Sequence, residues 1–340
     1  MDGYAVSGPA PWRVVGRTLA GDAVADPLKA GQAVEIATGA VPPPGATAVL
    51  PYEHSQRRAE FLMGEARAGQ HIRRRGEEFA SGVELVPAGA VLGPVHLGLA
   101  SAMGLDAIDV RRVPSVSAVI TGAEVVSHGV PHENQVRDAV GPMLPGMVAS
   151  AGGRFRDLVP IGDQARLLEE HLAARVDDIV LVTGASSAGP SDFLAPTLTS
   201  LGARQIVDSV GCRPGHPQSL WEWGDSFVVG LPGNPLAALA AFVTLAMPLL
   251  DRMGGRPLRG LEPHGVHRDF EDALRRSSAK RGQAATVLSP CRLTGGLLTS
   301  VGHDGSAMLR GSVNATGFAV TGPGVVGIAF HPFPWSLATP

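Results

Sequence analysis

Three loops made of small residues are the places where this sequence could bind an anion. The loop at 183–192 combines Gly, Ala and Ser with a carboxylate at its end, the loop at 121–124 ends in Glu124, and the loop at 211–217 places Arg213 among turn residues. Small residues let a ligand approach backbone N–H groups closely, and the start of a following helix favours an anion. One such loop is usually only a turn, but three at one sheet edge would form a site.

Five acidic residues spread along the chain could together hold a hard cation. They are Asp2, Glu78, Glu124, Asp163 and Asp192. Taken singly they look like exposed acids, because most acids in proteins are exposed. If the fold gathers several of them, their oxygens suit Mg²⁺, which also takes waters and phosphate oxygens as ligands.

Two further groups have a simpler interpretation. The arginines at 73–75 are typical of an ion-paired surface, although such a run could also contact phosphate. His264 and His267 have a spacing that a metal could use, but no glutamate supports them. A solvated pair is therefore the favoured interpretation of these histidines.

Several protein classes are excluded by motif, cysteine count and charge. The sequence has no Walker A pattern and no G-x-G-x-x-G after a strand, and residues 184–188 do not match the G-x-S-x-G elbow of serine hydrolases. Cys212 and Cys291 cannot form a disulfide framework and fit a reducing compartment. The net charge of -3 over 340 residues gives no support for a nucleic-acid partner.

The chain is also expected to lie in the cytoplasm, away from membranes. Its first residues carry neither the basic nor the apolar segment of a signal peptide. The longest apolar stretch, residues 235–250, is short of the roughly 20 residues that a membrane span needs, and it predicts a buried helix instead.

The elements that must position these groups divide the chain into four predicted domains. Residues 1–70 form a β-rich domain, residues 71–113 a connecting segment, residues 114–255 an α/β domain and residues 256–340 a β domain. The segment 71–113 is expected to contain a short packed helix near 96–104. Within the first domain, strands are expected at 12–17, 33–37 and 47–51.

The region 114–255 predicts a mainly parallel sheet, because apolar strands alternate with helices there. Strands are expected at 115–120, 178–182 and 226–231, and helices at 142–151, after Asp163 and from Pro235 onward. Asp163 is expected to cap its helix, which turns Leu168 and Leu172 toward the core. Since ligands bind at the carboxyl ends of parallel strands, the three loops should share one edge.

Short motifs occur in a fixed order from residue 1 to about residue 255. They are Met-Asp-Gly-Tyr-Ala-Val at 1–6, Ile-Ala-Thr-Gly-Ala at 36–40, Arg-Gly-Glu-Glu at 75–78, Thr-Gly-Ala-Glu at 121–124, Thr-Gly-Ala-Ser-Ser-Ala-Gly at 183–189, and Leu-Pro-Gly-Asn-Pro at 231–235. Together they resemble the motifs of the molybdopterin molybdenumtransferase family, the MoeA type that also includes gephyrin E-domain-like proteins. Val136-Arg137-Asp138 lies where that family has Asp-Ser-Asn.

The resemblance implies both a fold and a reaction. The implied fold is an α/β multidomain protein, with a molybdopterin-binding α/β three-layer domain, flanking β domains and a C-terminal β-barrel. Residues 71–113 would be the remnant of an elongated helical dimerisation domain, so a weakly held homodimer is expected. The implied reaction inserts molybdate into adenylylated molybdopterin and releases AMP, with Mg²⁺ or Zn²⁺ assisting. The molybdopterin adenylyltransferase is a further implied partner.

The resemblance also implies which residues form the site. The implied catalytic residues are Asp2, Thr38, Glu78, Glu124, Asp163 and Asp192, of which Glu124, Asp163 and Asp192 would hold the metal. The implied cofactor-binding residues are Thr121, Gly122, Gly184, Ser186, Ser187, Gly189, Arg213, His216, Pro232, Gly233, Asn234, Pro235 and Ser306. Asp2 and Glu78 are expected to come from the other subunit of the dimer.

Some positions differ from the family pattern. The family's Lys-Pro-Gly-Lys-Pro is Arg213-Pro-Gly-His216-Pro here, Thr-Gly-Asp-Glu has become Thr-Gly-Ala-Glu, and the second Gly of a pair is Ala185. Arg213 is expected to carry the charge of its loop, with His216 contributing only when protonated. The differences leave open an alternative, a catalytically degraded paralogue that binds molybdopterin or a partner without metal insertion. The related adenylyltransferase shares the α/β domain, but the flanking β domains argue against it.

Overall fold

The computed structural model of the chain describes residues 1–23, 25–174, 177–184, 193–281, 285–302 and 305–336. The chain divides into two compact units, Met1–Pro87 and Ala88–Pro340. We call them the first unit and the second unit and describe each by itself.

The first unit is built on one six-stranded sheet. Its strands are β1 (Gly3–Val6), β2 (Trp12–Thr18), β3 (Gln32–Ile36), β4 (Ala48–Pro51), β5 (Ser55–Arg58) and β6 (Phe61–Gly64), in the sheet order β4-β1-β3-β2-β6-β5, and a 3₁₀ turn spans Tyr52–His54. Successive side chains of β1 enter different apolar clusters, since Tyr4 and Val6 join one cluster and Ala5 the other. This alternation is what a strand buried on both faces requires.

The second unit opens with a helix that is more exposed than the sequence predicts. Helix α1 spans Pro94–Ala102, and Ala100 is its buried residue. The predicted helix near 96–104 is therefore present, but its packing was overestimated, because Val95 is 83% exposed and Leu97 is 56% exposed.

A six-stranded sheet at the centre of the second unit is mainly parallel, as predicted. The strands of this region are β7 (Ser115–Ile120), β8 (Val125–Val126), β9 (Val136–Arg137), β10 (Arg154–Pro160), β11 (Ile179–Thr183), β12 (Arg204–Val207), β13 (Cys212–Arg213), β14 (Ser219–Trp223) and β15 (Ser226–Leu231). The sheet order is β10-β7-β11-β15-β14-β12, with β10, β7, β11 and β15 parallel and the last two strands antiparallel. Strands β8 and β9 form a separate parallel ribbon, which we call the β8–β9 ribbon.

Helices cover both faces of this sheet. They are α2 (Leu144–Ser150, after a 3₁₀ turn at Gly141–Met143), α3 (Ala165–Ala173), α4 (Leu194–Ser200), α5 (Pro235–Ala241) and α6 (Met247–Met253). On β11, Ile179 and Leu181 pack in the core with α2 and α5, whereas Val180 and Val182 pack in the core with α3 and α4. The alternation places one core on each face, which is the predicted three-layer arrangement.

The predicted buried helix after Pro235 is present. Helix α5, a π-helical turn at Phe242–Ala246 and α6 follow one another as a helix over Pro235–Met253. By length and composition this helix could cross a membrane, but 67% of its apolar window is buried inside the protein. Burial of that extent is typical of a core helix.

The predicted cap of α3 is wrong in one respect. Leu168 and Leu172 are fully buried, as expected, but Gln164 and not Asp163 occupies the cap position. The Asp163 carboxylate instead accepts a hydrogen bond from the backbone N–H of Ala123, at 3.2 Å. A hydrogen bond to a distant loop therefore takes the place of the local cap.

The C-terminal region forms a nearly closed, barrel-like sheet, in agreement with the predicted fold class. Its elements are β16 (Glu262–Pro263), β17 (Gly265–Val266), α7 (Arg268–Arg281), β18 (Thr286–Thr294), β19 (Leu297–Ser300), a 3₁₀ turn (Gly311–Asn314), β20 (Gly317–Thr321) and β21 (Ala329–Pro332). The sheet order is β16-β21-β20-β18-β19-β17, and β13 joins it by pairing with β18. Helix α7 was not expected in a region that the sequence assigns to strands.

Candidate functional site

A cavity of about 560 Å³ lies at the carboxyl ends of β7, β11 and β15. We call it the strand-end cavity. Nine of the residues expected at the site from the sequence line it: Thr121, Gly122, Glu124, Asp163, Gly184, Pro232, Gly233, Asn234 and Pro235. The position agrees with the rule that ligands of parallel sheets bind beyond the carboxyl ends of the strands.

The end of β7 is tied to the end of β11 by buried hydrogen bonds. The Thr121 hydroxyl donates to the Thr183 carbonyl oxygen at 2.5 Å, and the Thr121 N–H donates to the same oxygen at 3.2 Å. Gly122 follows with φ at +121°. A Cβ on Gly122 would lie 2.7 Å from the Val125 side chain, so the cavity wall requires glycine there.

Gly184 brings the end of β11 against the other two strand ends. Its N–H donates to the Leu231 carbonyl oxygen at 3.1 Å, and its φ is +83°. A Cβ on Gly184 would lie 2.7 Å from the Thr121 hydroxyl oxygen, and one on Gly233 would lie 3.4 Å from the Gly184 Cα. The floor of the strand-end cavity is therefore almost bare backbone, which lets a ligand approach the peptide groups.

Two of the expected metal ligands, Glu124 and Asp163, line the cavity from different segments, and both are exposed. The bond from the Ala123 N–H to Asp163 brings the 121–124 loop to the start of α3. The described part of the chain contains no group of three or more His, Cys, Asp or Glu residues placed to hold a metal. The third expected metal ligand, Asp192, lies outside the described residues, as do Ser186, Ser187 and Gly189.

Asp138 and Arg137 also line the cavity, and sequence reasoning did not include them in the site. The Asp138 carboxylate accepts hydrogen bonds from the N–H groups of Val140 and Gly141, both at 2.9 Å. The Arg137 guanidinium donates to the Gly129 carbonyl oxygen at 3.3 Å. The signal was present, because residues 136–138 lie where the family has an Asp-Ser-Asn motif.

Ser306 contributes through its backbone. Its carbonyl oxygen accepts hydrogen bonds from the N–H groups of Leu236 and Ala237, at 3.0 and 3.1 Å, in the first turn of α5. The next residue, Ala307, lines the cavity. The C-terminal region therefore closes the side of the strand-end cavity near Pro235.

Arg213 and His216 are placed differently from the other expected residues. Among the described residues that line the cavity, their loop contributes Pro217 but neither of these two side chains. Arg213 is exposed on β13, beside β18, and the His216 Nδ1 lies 2.8 Å from the Val210 carbonyl oxygen. Their role as oxyanion ligands stays a prediction.

The buried Gln218 fixes the loop that carries Arg213 and His216. Its amide donates to the Gly215 carbonyl oxygen at 2.8 Å and to the Cys212 sulfur at 3.3 Å, and its oxygen accepts from the Thr244 hydroxyl at 3.0 Å. Thr244 belongs to the π-helical turn of the core helix. The loop is thus anchored to the core of the second unit.

In the first unit, two of the expected catalytic residues are in contact. The Thr38 N–H donates to the Asp2 carboxylate at 2.6 Å, and the hydrogen bonds from Thr38 lower the pKa of Asp2. Glu78 forms an exposed ion pair with Arg73 at 3.1 Å. Arg73 is therefore ion-paired, which agrees with the interpretation of residues 73–75 as an ion-paired surface.

The two histidines with a metal-like spacing are engaged separately. The His264 Nδ1 lies 3.0 Å from the Pro263 carbonyl oxygen, and its ring lies 5.4 Å from that of Phe330. The His267 Nδ1 lies 3.8 Å from an Asp269 oxygen. The pair does not converge with other possible metal ligands among the described residues.

Two regions of the chain match models of known protein families. A model described as "MoeA N-terminal region (domain I and II)" matches residues 1–104, and one described as "Probable molybdopterin binding domain" matches residues 117–252. The second range contains the strand-end cavity except for its C-terminal wall at Ala307.

Individual proteins are similar over nearly the whole chain. The molybdopterin molybdenumtransferase 2 of Mycobacterium tuberculosis is 30% identical over 97% of this chain and 85% of its own length. The molybdopterin molybdenumtransferase of a Nostoc species is 30% identical over 83% of this chain and 68% of its own. The crystal structure of a molybdopterin biosynthesis MoeA protein from Pyrococcus horikoshii matches with a TM-score of 0.77 and 26% identity, over 98% of this chain and 86% of that one.

Proposed function

The chain belongs to the molybdopterin molybdenumtransferase family, a family of transferases in molybdenum cofactor biosynthesis, and from this premise we propose its reaction. The chain binds adenylylated molybdopterin, cleaves its phosphoanhydride with water so that AMP leaves, and places molybdenum from molybdate on the two dithiolene sulfurs, whose protons leave with one molybdate oxygen as water. The phosphoanhydride between pterin phosphate and AMP is the bond that breaks. Molybdate is a substrate in this scheme.

One observation carries the proposal: the strand-end cavity combines a floor of bare backbone with carboxylates at its rim. Gly122, Gly184 and Gly233 leave room for a phosphorylated ligand to reach the peptide groups. Glu124 and Asp163 supply oxygens at the rim, where a divalent cation would be placed against the phosphoanhydride. Cleavage of a phosphoanhydride needs both features, a backbone floor that binds phosphate and carboxylates that hold a metal.

The donor set supports Mg²⁺ more than Zn²⁺ as the assisting metal. The described residues that line the cavity offer carboxylates but no His or Cys side chain. Mg²⁺ binds through one or two carboxylates, waters and substrate phosphates, whereas Zn²⁺ prefers nitrogen and sulfur ligands. Glu124 and Asp163 would hold the ion, with Asp192 as a third ligand. The ion would neutralise charge on the phosphates as AMP leaves.

A homodimer belongs to the same proposal. Residues near α1 expose a large apolar surface that a second copy would cover: Val91 is 70% exposed, Val95 83% and Val110 67%. Apolar patches of this kind mark interaction surfaces. In the dimer, Asp2 and Glu78 of one subunit would complete the strand-end cavity of the other. Sedimentation that shows only monomer at high micromolar concentration would contradict the dimer.

The other expectations from the sequence stay proposals in the same scheme. They are a cytoplasmic location, delivery of the substrate by the molybdopterin adenylyltransferase, the division into four domains with boundaries near residues 70, 113 and 255, and the roles of Ser186, Ser187, Gly189, Arg213, His216 and Ser306. The degraded paralogue is not favoured, because the relatives that are 30% identical are named as transferases.

The proposed reaction is tested by release of AMP from purified adenylylated molybdopterin. We expect release that requires both molybdate and Mg²⁺ and that falls about 100-fold in Asp163→Asn, because that variant removes a metal ligand. Asp225→Asn, an exposed site in the turn between β14 and β15, is the matched control. Tight binding of the substrate without any AMP release would favour the degraded paralogue instead.

A further inference from the structure

The β8–β9 ribbon holds Arg137 at the rim of the strand-end cavity. Val126 of β8 pairs with Arg137 of β9, and the N–H of Asp138 donates to the Val126 carbonyl oxygen at 3.0 Å. On the other side, the Asp138 carboxylate accepts the two N–H groups that begin the turn before α2. The backbone on both sides of Arg137 is therefore fixed, although its side chain is exposed.

Arg137 is the one cationic side chain among the described residues that line this cavity. Three carboxylates line it as well, those of Glu124, Asp138 and Asp163. No ion pair joins Arg137 to any carboxylate in the described part of the chain, and its one hydrogen bond is the long contact to Gly129. A guanidinium has five N–H donors, so most of the hydrogen-bonding capacity of Arg137 is open to a ligand.

Its position relative to Glu124 suggests what that ligand is. The N–H of Val136, the residue before Arg137, donates to the Glu124 carbonyl oxygen at 2.9 Å, so the cation stands on β9 and the carboxylate belongs to the residue directly before β8. A metal on Glu124 and Asp163 would neutralise one side of a diphosphate, and a guanidinium beside it would neutralise the other. Arginine suits this task because its planar fork matches phosphate oxygens.

We propose that Arg137 binds the phosphoanhydride of the nucleotide-bearing substrate, and that it is the cation of this site in place of Arg213. The proposal rests on the proposed function and adds a residue to its substrate contacts. It assigns the guanidinium to phosphate oxygens and not to molybdate, since Glu124, which lines the same cavity, is a proposed ligand of the metal that would bind those oxygens.

Binding of inorganic pyrophosphate with Mg²⁺, measured by calorimetry on the full chain, tests the assignment. We expect Arg137→Gln to weaken pyrophosphate binding about tenfold or more, as loss of a charge-assisted hydrogen bond does, and Arg137→Lys to restore part of it. Arg154→Gln is the matched control, because Arg154 is exposed at the start of β10, at the other end of the sheet. All three variants should melt within about 1 °C of the unchanged chain, since surface substitutions cost little stability.

Four outcomes overturn the proposal. Equal pyrophosphate binding by Arg137→Gln and the unchanged chain would show that Arg137 does not contact phosphate. Loss of molybdate binding with pyrophosphate binding retained would assign the guanidinium to molybdate. No binding of pyrophosphate by the unchanged chain would contradict the inference together with the proposed function, whereas AMP release that is insensitive to Arg137→Gln would contradict the inference alone.

Discussion

Replacing Asp178 by Asn should destabilise the second unit by an amount that the structure allows us to work out. Asp178 directly precedes β11, where its carboxylate accepts two hydrogen bonds from the Arg112 guanidinium and two from Ser115, at 2.5–2.8 Å. Burial by itself would raise the pKa of Asp178, but these hydrogen bonds lower it to about 2. The ionised carboxylate is thus strongly favoured in the folded state.

The size of the effect follows from the difference between the folded and unfolded pKa values. The ordinary value is 3.8, and each pKa unit corresponds to about 1.4 kcal/mol, so the ionised carboxylate contributes about 2 kcal/mol. The Arg112 side chain is 73% exposed, and solvent screening reduces the contribution of the ionised carboxylate to the free energy of unfolding toward about 1 kcal/mol. Because the folded pKa is the lower one, the contribution is complete above about pH 4 and is lost as the pH falls through about 2.

Denaturant unfolding followed by tryptophan fluorescence measures the effect. At pH 7, Asp178→Asn should lower the free energy of unfolding by about 1 to 2 kcal/mol, and near pH 3 the deficit should be roughly halved. AMP release should be unchanged, because Asp178 lies at the end of the sheet opposite the strand-end cavity. Asp225→Asn serves as control. A deficit that is the same at pH 3 and pH 7, or one below about 0.3 kcal/mol, would refute the reasoning.

The remaining predictions concern the cavity floor, the core and the thiols. Gly184→Ala places a Cβ 2.7 Å from the Thr121 hydroxyl oxygen at a residue with positive φ. The variant should therefore have a lower melting temperature and bind molybdopterin at least tenfold more weakly. Molybdopterin binding equal to that of the unchanged chain would show that the cavity floor accommodates the extra methyl group. Leu172→Ala removes a fully buried side chain and should cost about 2 to 5 kcal/mol in denaturant unfolding, and a cost under 1 kcal/mol would mean that α3 collapses onto the gap. Burial raises the pKa of Cys291 to about 12, so its thiol should resist iodoacetamide at pH 8 until denaturant is added; rapid labelling of the folded chain, seen by mass spectrometry, would contradict that pKa.

The parallel sheet was the part of the fold that the sequence predicts best. Two strands, Ser115–Ile120 and Ser226–Leu231, agree with the expected ranges residue for residue, because both are short apolar runs bounded by turn residues. The edge strand Arg154–Pro160 was missed, since its exposed charged residues interrupt the apolar pattern. Helix Arg268–Arg281 was missed because a charged, mostly polar sequence was assigned to a β region.

The part of the candidate site formed by loops that directly follow strands could be predicted from the sequence. The part formed by contacts between distant segments could not. The small residues after β7, β11 and β15 converge because parallel strands end at one edge, and that follows from the sequence pattern. The hydrogen bond between Ala123 and Asp163 joins residues forty positions apart, and no local sequence pattern predicts it. Arg137 stands on a two-residue strand, too short for any periodicity, so its motif position was the one signal that the sequence offered, and the structure shows that it lines the cavity.

The central claim is that the strand-end cavity carries out molybdenum insertion, and the most direct test counts products in a single incubation. Adenylylated molybdopterin, molybdate and Mg²⁺ are mixed with the chain, AMP is quantified by chromatography, and pterin-bound molybdenum is quantified by mass spectrometry. We predict one molybdenum bound for each AMP released, with both falling together in Glu124→Gln, whose side chain lines the cavity. AMP release without molybdenum on the pterin, or full insertion by Glu124→Gln, would contradict the claim.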